Sequence, residues 1–189
     1  MRSRLEARLG AGIARRLTIG TFHAICLSLL DKKPLLGRDE ALPLMREALR
    51  ACGRALDPAE ALSAVSRVKC GGTGAEDATA LAADYQALLS ERGARDLDDL
   101  LLDALAHPGR PPRRFTHLLV DEFQDINAVQ RRLVLKWHEG GQSLFVIGDA
   151  DQSITGSAAQ ARAALPSSPR RCRRSPRSCS STTTAPRRR

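Results

Sequence analysis

The chain has 189 residues, of which 42% are hydrophobic and 3% aromatic, so it can form one domain with a core built mostly of Leu, Ala and Val. No apolar run reaches the roughly 18 residues of a membrane span, and the charged N-terminus lacks the apolar segment of a signal peptide. The five cysteines never occur as C-x-x-C, which argues against a structural zinc site and against a disulfide framework. The composition therefore predicts a cytoplasmic protein with no membrane partner.

The net charge of +9 is confined to the C-terminal end of the chain. Nine arginines and no acidic residue lie between positions 157 and 189, so the preceding residues carry no net charge. Ser, Pro, Ala and Thr fill most of the remaining positions, and a segment of this composition cannot bury enough apolar surface to offset its ordering entropy. We therefore predict a disordered tail over 157–189, and the high charge says little about what the folded part binds.

Helical periodicity dominates the first half of the chain. Residues 1–9 form a short predicted helix, residues 17–20 are strand-like, and Phe22 opens a helix whose apolar residues recur at helical spacing. Three more helices are predicted near 39–51, 58–69 and 75–92.

A strand–helix–strand pattern follows these helices. The apolar runs 115–120 and 143–147 are predicted as buried strands, because charged or turn residues bound each of them. Between them, Asn127 and Gln130 resemble a capping box that begins a helix. One face of this helix is predicted to be apolar, with Ile126, Val129, Leu133 and Trp137 recurring along it. Strand, helix, strand is the pattern of a parallel α/β unit.

These elements divide the chain into two folded parts and a tail. Residues 1–38 and 94–156 would form an α/β body, in which a further helix begins near Asp96. Residues 39–93 would be an all-α insertion, and residues 157–189 would be the tail.

Two carboxylates, Asp121 and Glu122, directly follow the first predicted strand. Open α/β folds bind ligands at the carboxyl edge of the sheet. Phosphoryl transfer needs one carboxylate to hold Mg²⁺ and another group to orient or deprotonate the attacking water. Adjacent Asp and Glu side chains could divide these roles. The alternative is an acidic loop that caps a helix N-terminus, where negative charge is favourable in any protein.

Two further segments have polar residues at positions typical of ligand sites. After the second strand, Gly148 and Asp149 lead to Gln152, whose amide could hydrogen-bond a phosphate oxygen, although a plain turn would use the same residues. Thr21 and His23 open a predicted helix, where backbone N–H groups can meet a phosphate. A simple helix cap would also explain that pair.

Together these segments resemble the UvrD/Rep/PcrA-type DNA helicases of superfamily 1. The sequence reads T-I-G-T-F-H-A from Thr18, D-L-D-D-L-L from Asp96, L-L-V-D-E-F-Q-D from Leu118 and V-I-G-D-A-D-Q-S-I from Val146. The likeness covers roughly residues 1–156. It implies an α/β, RecA-like ATP-binding domain of the P-loop NTPase type with a helical insertion.

By this resemblance the chain is part of an ATP-dependent helicase that uses ATP and Mg²⁺ and moves 3′→5′ along single-stranded DNA. Asp121 would bind Mg²⁺, and Glu122 would be the base for the attacking water. Gln152 would contact the γ-phosphate and couple hydrolysis to movement. The residues of the segment that contacts DNA would be Thr21, Phe22 and His23.

The sequence departs from the family in three ways. It contains no G-x-x-x-x-G-K-[ST] phosphate-binding loop, which in these helicases lies upstream of the matching region. It also lacks the second motor domain. Finally, Thr155 stands where the family has a tyrosine, and Ser157 and Ala158 stand where it has an aromatic residue and an arginine. We hypothesise a frameshift near codons 153–156, which translation of the alternative reading frames of the gene would test.

Two alternatives to a helicase segment stay open at this point. The chain could be a catalytically dead fragment whose arginine-rich tail binds nucleic acid non-specifically. It could also be part of a RecB/AddA-type repair helicase–nuclease, which shares these motifs. We expect the chain alone not to turn over ATP, because it contains no phosphate-binding loop.

Overall fold

The computed structural model describes residues 2–107 and 115–148, so Gln152 and the predicted tail lie outside the described residues. Within these ranges the helices are α1 (Arg2–Leu9), α2 (Ala11–Ala14), α3 (Phe22–Leu29), α4 (Arg38–Ala51), α5 (Pro58–Lys69), α6 (Glu76–Glu91), α7 (Leu97–Ala106) and α8 (Ala128–His138). The strands are β1 (His117–Val120) and β2 (Ser143–Val146), and a 3₁₀ turn spans Phe123–Asp125. None of the described helices is long and apolar enough to cross a membrane.

The predicted helices are present, and polar side chains set where several of them begin. At the start of α3, the backbone N–H of Ala24 donates to Thr21 Oγ1 at 3.3 Å. The predicted capping box of α8 is confirmed. The N–H of Gln130 donates to Asn127 Oδ1 at 2.9 Å, and the N–H of Asn127 donates to Gln130 Oε1 at 3.0 Å. Such caps satisfy backbone donors that a helix leaves unpaired at its first turn.

Helices α4, α5 and α6 pack around an apolar core of their own. All three helices contribute buried side chains, which include Leu44, Met45, Ala48, Val65, Leu81, Tyr85 and Leu89. Apart from Arg38, the first residue of α4, these helices fall within the predicted insertion, so that segment buries apolar surface without depending on the sheet.

A second core joins α3, α7 and α8. Its buried residues include Cys26, Leu100, Leu101, Val129, Leu133 and Trp137. The apolar face predicted for the helix between the strands is therefore confirmed, since Val129, Leu133 and Trp137 all lie in this core.

The two strands pair in parallel, as predicted. His117 lies opposite Ser143, and Val120 lies opposite Val146. Helix α8 connects the strands and covers one face of the sheet, where Val134 packs with Val120 in a third apolar cluster. The pairing therefore places the carboxyl ends of both strands at the same edge.

The sheet is less buried than the sequence predicted. Leu119, Phe145 and Ile147 are 67%, 58% and 44% exposed. The prediction of strands buried on both faces is therefore wrong. Helix α8 covers one face, and the described elements leave the other open to solvent.

Residues 17–20 do not form a strand, so that prediction is also wrong. A strand needs a neighbour to satisfy its backbone donors and acceptors, and among the described residues β1 and β2 pair only with each other. Leu17 instead follows α2 in a turn, where its N–H donates to the Ala14 carbonyl oxygen at 3.2 Å.

A buried lysine joins α5 to the start of α7. The Nζ atom of Lys69 lies 2.7 Å from Asp96 Oδ2 and 2.9 Å from Asp99 Oδ1, and the lysine side chain is only 8% exposed. Its ammonium group also lies 5.1 Å from the centre of the Tyr85 ring. Burial raises the pKa of the Asp96 carboxyl, although the charge of Lys69 acts in the opposite direction.

Replacing Lys69 by Met should lower the free energy of unfolding by about 3–5 kcal/mol, because two buried carboxylates lose the cation between them. Urea unfolding of both proteins measures the difference. Arg92→Met is the matched control. It removes the ion pair with Glu47, whose two side chains are 44% and 51% exposed, and should change stability by less than about 1 kcal/mol.

The stability lost in Lys69→Met should also depend on pH. Without the lysine, the pKa of Asp96 in the folded state rises further above the ordinary value of 3.8. The folded variant then binds protons more readily than the unfolded chain, so its deficit relative to wild type should shrink as the pH falls from about 7 toward about 4.5. An equal deficit at both pH values would contradict the buried ion cluster.

Candidate functional site

Backbone hydrogen bonds tie the carboxyl ends of β1 and β2 together. The N–H of Ile147 donates to the Val120 carbonyl oxygen at 2.8 Å, and the N–H of Phe123 donates to the Ile147 carbonyl oxygen at 2.9 Å. The two exposed carboxylates that follow β1, Asp121 and Glu122, therefore start beside the end of β2. The segments that follow the two strands, 121–125 and 147–148, are therefore neighbours.

Glu122 has a strained backbone. Its φ of 51° and ψ of 43° are left-handed, and it is the only non-glycine residue with positive φ in the described part of the chain. The N–H of Glu122 donates to Asp121 Oδ1 at 3.1 Å, and its carbonyl oxygen accepts from the N–H of Asp125 at 2.9 Å. Backbone strain of this kind costs about 1–3 kcal/mol and clusters at functional sites.

The Gln124 side chain lies between the acidic loop and Gly148. Its Nε2 group donates to Glu122 Oε2 at 2.7 Å and also reaches Asp125 Oδ2 at 3.5 Å. A Cβ atom at Gly148 would lie 2.5 Å from Gln124 Oε1, so the absence of a side chain there permits this approach. Gln124 is not among the site residues that the sequence motifs predicted. The signal that could have found it is an amide donor placed between two acidic residues.

The acidic pair suits a cation that is held together with a phosphate. Neither Asp121 nor Glu122 forms an ion pair within the described part of the chain. No group of three or more His, Cys, Asp or Glu side chains that could hold a metal occurs in residues 2–107 and 115–148. Mg²⁺ usually binds through one or two carboxylates, waters and substrate phosphates. An exposed carboxylate such as that of Asp121 could be one ligand of this kind.

The segment at the start of α3 is partly used for packing. Thr21 caps the helix, as the simple alternative for this segment expected. The ring of Phe22 stacks on Trp137, with ring centres 5.7 Å apart. His23 is half-buried and lines a cavity of about 350 Å³. The cavity is also lined by Leu36 and Arg38, by Leu62 and Ser66 of α5, and by Asp98 of α7.

The structure thus brings some of the predicted site residues together and separates others. Asp121 and Glu122 share one loop with Gly148 beside it, whereas Asp149 and Gln152 lie outside the described residues. His23 lies beside the insertion. Phe22 connects the start of α3 with the end of β1, because its ring also contacts the apolar cluster that contains Val120.

Most of this chain is similar in sequence to known proteins. The sequence profile of the UvrD/REP helicase N-terminal domain matches residues 39–156. The chain is 30% identical to the ATP-dependent DNA helicase PcrA of Bacillus subtilis, in an alignment that covers 82% of this chain and 25% of that protein. It is 31% identical to the ATP-dependent DNA helicase UvrD1 of Mycobacterium tuberculosis, in an alignment that covers 82% of this chain and 25% of that protein. It is 28% identical to the ATP-dependent DNA helicase srs2 of Schizosaccharomyces pombe, in an alignment that covers 81% of this chain and 22% of that protein.

The chain spans about a quarter of the length of these curated relatives. The family match covers well over half of the chain and includes both strands, α8 and the acidic pair. The chain belongs to the UvrD/REP helicase family.

Proposed function

We propose that this chain is part of an ATP-dependent DNA helicase motor, in which ATP hydrolysis drives 3′→5′ movement along single-stranded DNA. The observation that carries the proposal is the pairing of β1 with β2, which sets the strained Glu122 beside the end of the second strand. Named relatives of the chain are ATP-dependent DNA helicases. The polar residues at the carboxyl ends of the strands support this activity, because open α/β sheets bind ligands at that edge.

The proposed architecture is a RecA-like ATP-binding domain interrupted by a helical insertion. Residues 1–38 and 94–156 would form the ATP-binding part, and residues 39–93 the insertion. The separate apolar core of α4, α5 and α6 supports this division. The buried contact of Lys69 with α7 would fix the position of the insertion on the domain.

In this proposal the acidic pair divides the work of phosphoryl transfer. Asp121 would hold Mg²⁺, which neutralises charge on the phosphates when it is bound. Glu122 would accept a proton from the attacking water. A general base must lie within hydrogen-bond reach of that proton, and the exposed Glu122 carboxylate, on a backbone fixed by two hydrogen bonds, is suited to that task. Gln152 would contact the γ-phosphate.

The proposed DNA contact lies at the start of α3. Thr21, Phe22 and His23 would belong to it. The assignment of His23 is supported by its position beside an open cavity. Phe22 would act mainly by holding the segment against Trp137, since its ring is already stacked there.

The catalytic assignment can be tested in a motor completed with the remaining parts of PcrA from Bacillus subtilis. Glu122→Gln should keep ATP and Mg²⁺ binding and lower kcat by about 10²–10⁴-fold, because the amide preserves shape but removes the base. Asp121→Asn should lose activity that added Mg²⁺ partly restores. Gln152→Ala should reduce unwinding more than ATP hydrolysis.

Stability measured alongside the kinetics separates catalysis from capping. If the acidic residues only capped a helix, all three changes would cost about 0.5–2 kcal/mol of stability and leave turnover per folded molecule unchanged. A wild-type kcat in Glu122→Gln would overturn the proposal.

The left-handed backbone at Glu122 should lower the stability of the chain. Glu122→Gly should be more stable than Glu122→Ala by about 1 kcal/mol, because glycine adopts left-handed backbone without the penalty of a Cβ atom. Both variants lack the carboxylate, so chemical denaturation of the two isolates the backbone effect. Equal stabilities, or a more stable alanine variant, would argue against strain at this position.

DNA binding by the chain alone should come mainly from its C-terminal arginines. Deleting residues 157–189 removes nine arginines and the whole net charge, so most affinity for a labelled single strand at low salt should disappear. For the intact chain, the slope of the logarithm of the binding constant against the logarithm of the salt concentration should be no steeper than about −6, at roughly 0.7 per neutralised phosphate. Fluorescence anisotropy at several salt concentrations measures both quantities. Undiminished binding by the truncated chain, lost on His23→Ala, would place the main contact at α3 instead.

A further inference from the structure

The Gln124 side chain spans the gap between the acidic loop and the turn after β2. One end of its amide, Nε2, donates to Glu122 Oε2 at 2.7 Å. The other end, Oε1, lies so close to Gly148 that a Cβ atom there would come within 2.5 Å of it. The two ends of one amide group therefore face the candidate base and the neighbouring strand end.

The backbone on both sides of this amide is fixed. The 3₁₀ turn Phe123–Asp125 is closed by the bond from the Asp125 N–H to the Glu122 carbonyl oxygen at 2.9 Å. The N–H of Phe123 is bonded to Ile147, the residue before Gly148. With both anchors held, the fold fixes the backbone position from which the Gln124 side chain reaches Glu122 and Gly148.

An amide suits this position better than a charged donor. A lysine or arginine could orient the Glu122 carboxylate equally well, but its charge would pair with the carboxylate and weaken it as a proton acceptor. A neutral amide donor fixes the orientation of the carboxylate at a smaller cost in basicity. Catalytic groups need such support, because an exposed side chain otherwise samples several rotamers.

We propose that Gln124 is a positioning residue, which orients the Glu122 carboxylate and links that orientation to the position of Gly148. The inference rests on the proposed function, in which Glu122 is the base. A displacement of the segment after β2 would move the Gln124 amide and so change the direction of the carboxylate. Through this contact, a change in the position of Gly148 would alter the orientation of the Glu122 carboxylate.

The test uses the full chain and the side-chain amide signal of Gln124 in ¹⁵N–¹H spectra, assigned through Gln124→Glu. Glu122→Gln should shift this signal, because its charged acceptor is lost. Gly148→Ala should shift it as well, because the added methyl group displaces Oε1. Gly12→Ala is the matched control, since a Cβ atom at Gly12 meets nothing within 4 Å, and it should leave the signal in place.

A second observation covers the case in which Gly148→Ala does not fold. Gln124→Glu keeps the shape of the side chain and removes the donor, so it should shift both the backbone amide of Gly148 and the carboxyl carbon of Glu122. The proposal is overturned if Glu122→Gln leaves the side-chain amide signal of Gln124 unchanged. It is also overturned if Gln124→Glu leaves both the backbone amide signal of Gly148 and the carboxyl-carbon signal of Glu122 unchanged. These signals do not depend on turnover. A wild-type kcat in Glu122→Gln would therefore reject the proposed function without affecting this contact.

Discussion

The parallel pairing of β1 with β2 is the constraint on which the candidate site depends. Asp121 and Glu122 come after one strand and Gly148 after the other, so only this pairing makes them neighbours. The bond from Ile147 N–H to the Val120 carbonyl oxygen continues the ladder to the point where the strands end. Parallel strands require a crossover connection, and α8 provides it while covering one face of the sheet.

The site is held at a cost in stability that the rest of the fold must offset. Glu122 has a left-handed backbone, and the apolar side chains of Leu119 and Phe145 stay exposed near it. The compensating apolar contacts lie elsewhere, in the core around α7 and α8. A strained residue can persist only where the surrounding structure over-determines it.

The sequence predicted features that neighbouring residues determine. The capping box of Asn127 and Gln130 and the apolar face of α8 depend on local spacing, and both are present. The exposure of Leu119 could not be predicted, because it depends on which element covers a face of the sheet. The acidic pair was visible as a motif. The contact of Gln124 with Gly148 was not, because strand pairing brings together residues that are distant in the chain.

We propose that ATP is hydrolysed at the carboxyl edge of this two-stranded sheet. A crystal structure of the completed motor with Mg²⁺ and a non-hydrolysable ATP analogue is the decisive test. Mg²⁺ should be bound through Asp121, directly or through one water, and the Glu122 carboxylate should hold a water that faces the γ-phosphate. A nucleotide bound away from this edge, with Asp121 and Glu122 contacting neither metal nor attacking water, would show that hydrolysis takes place elsewhere.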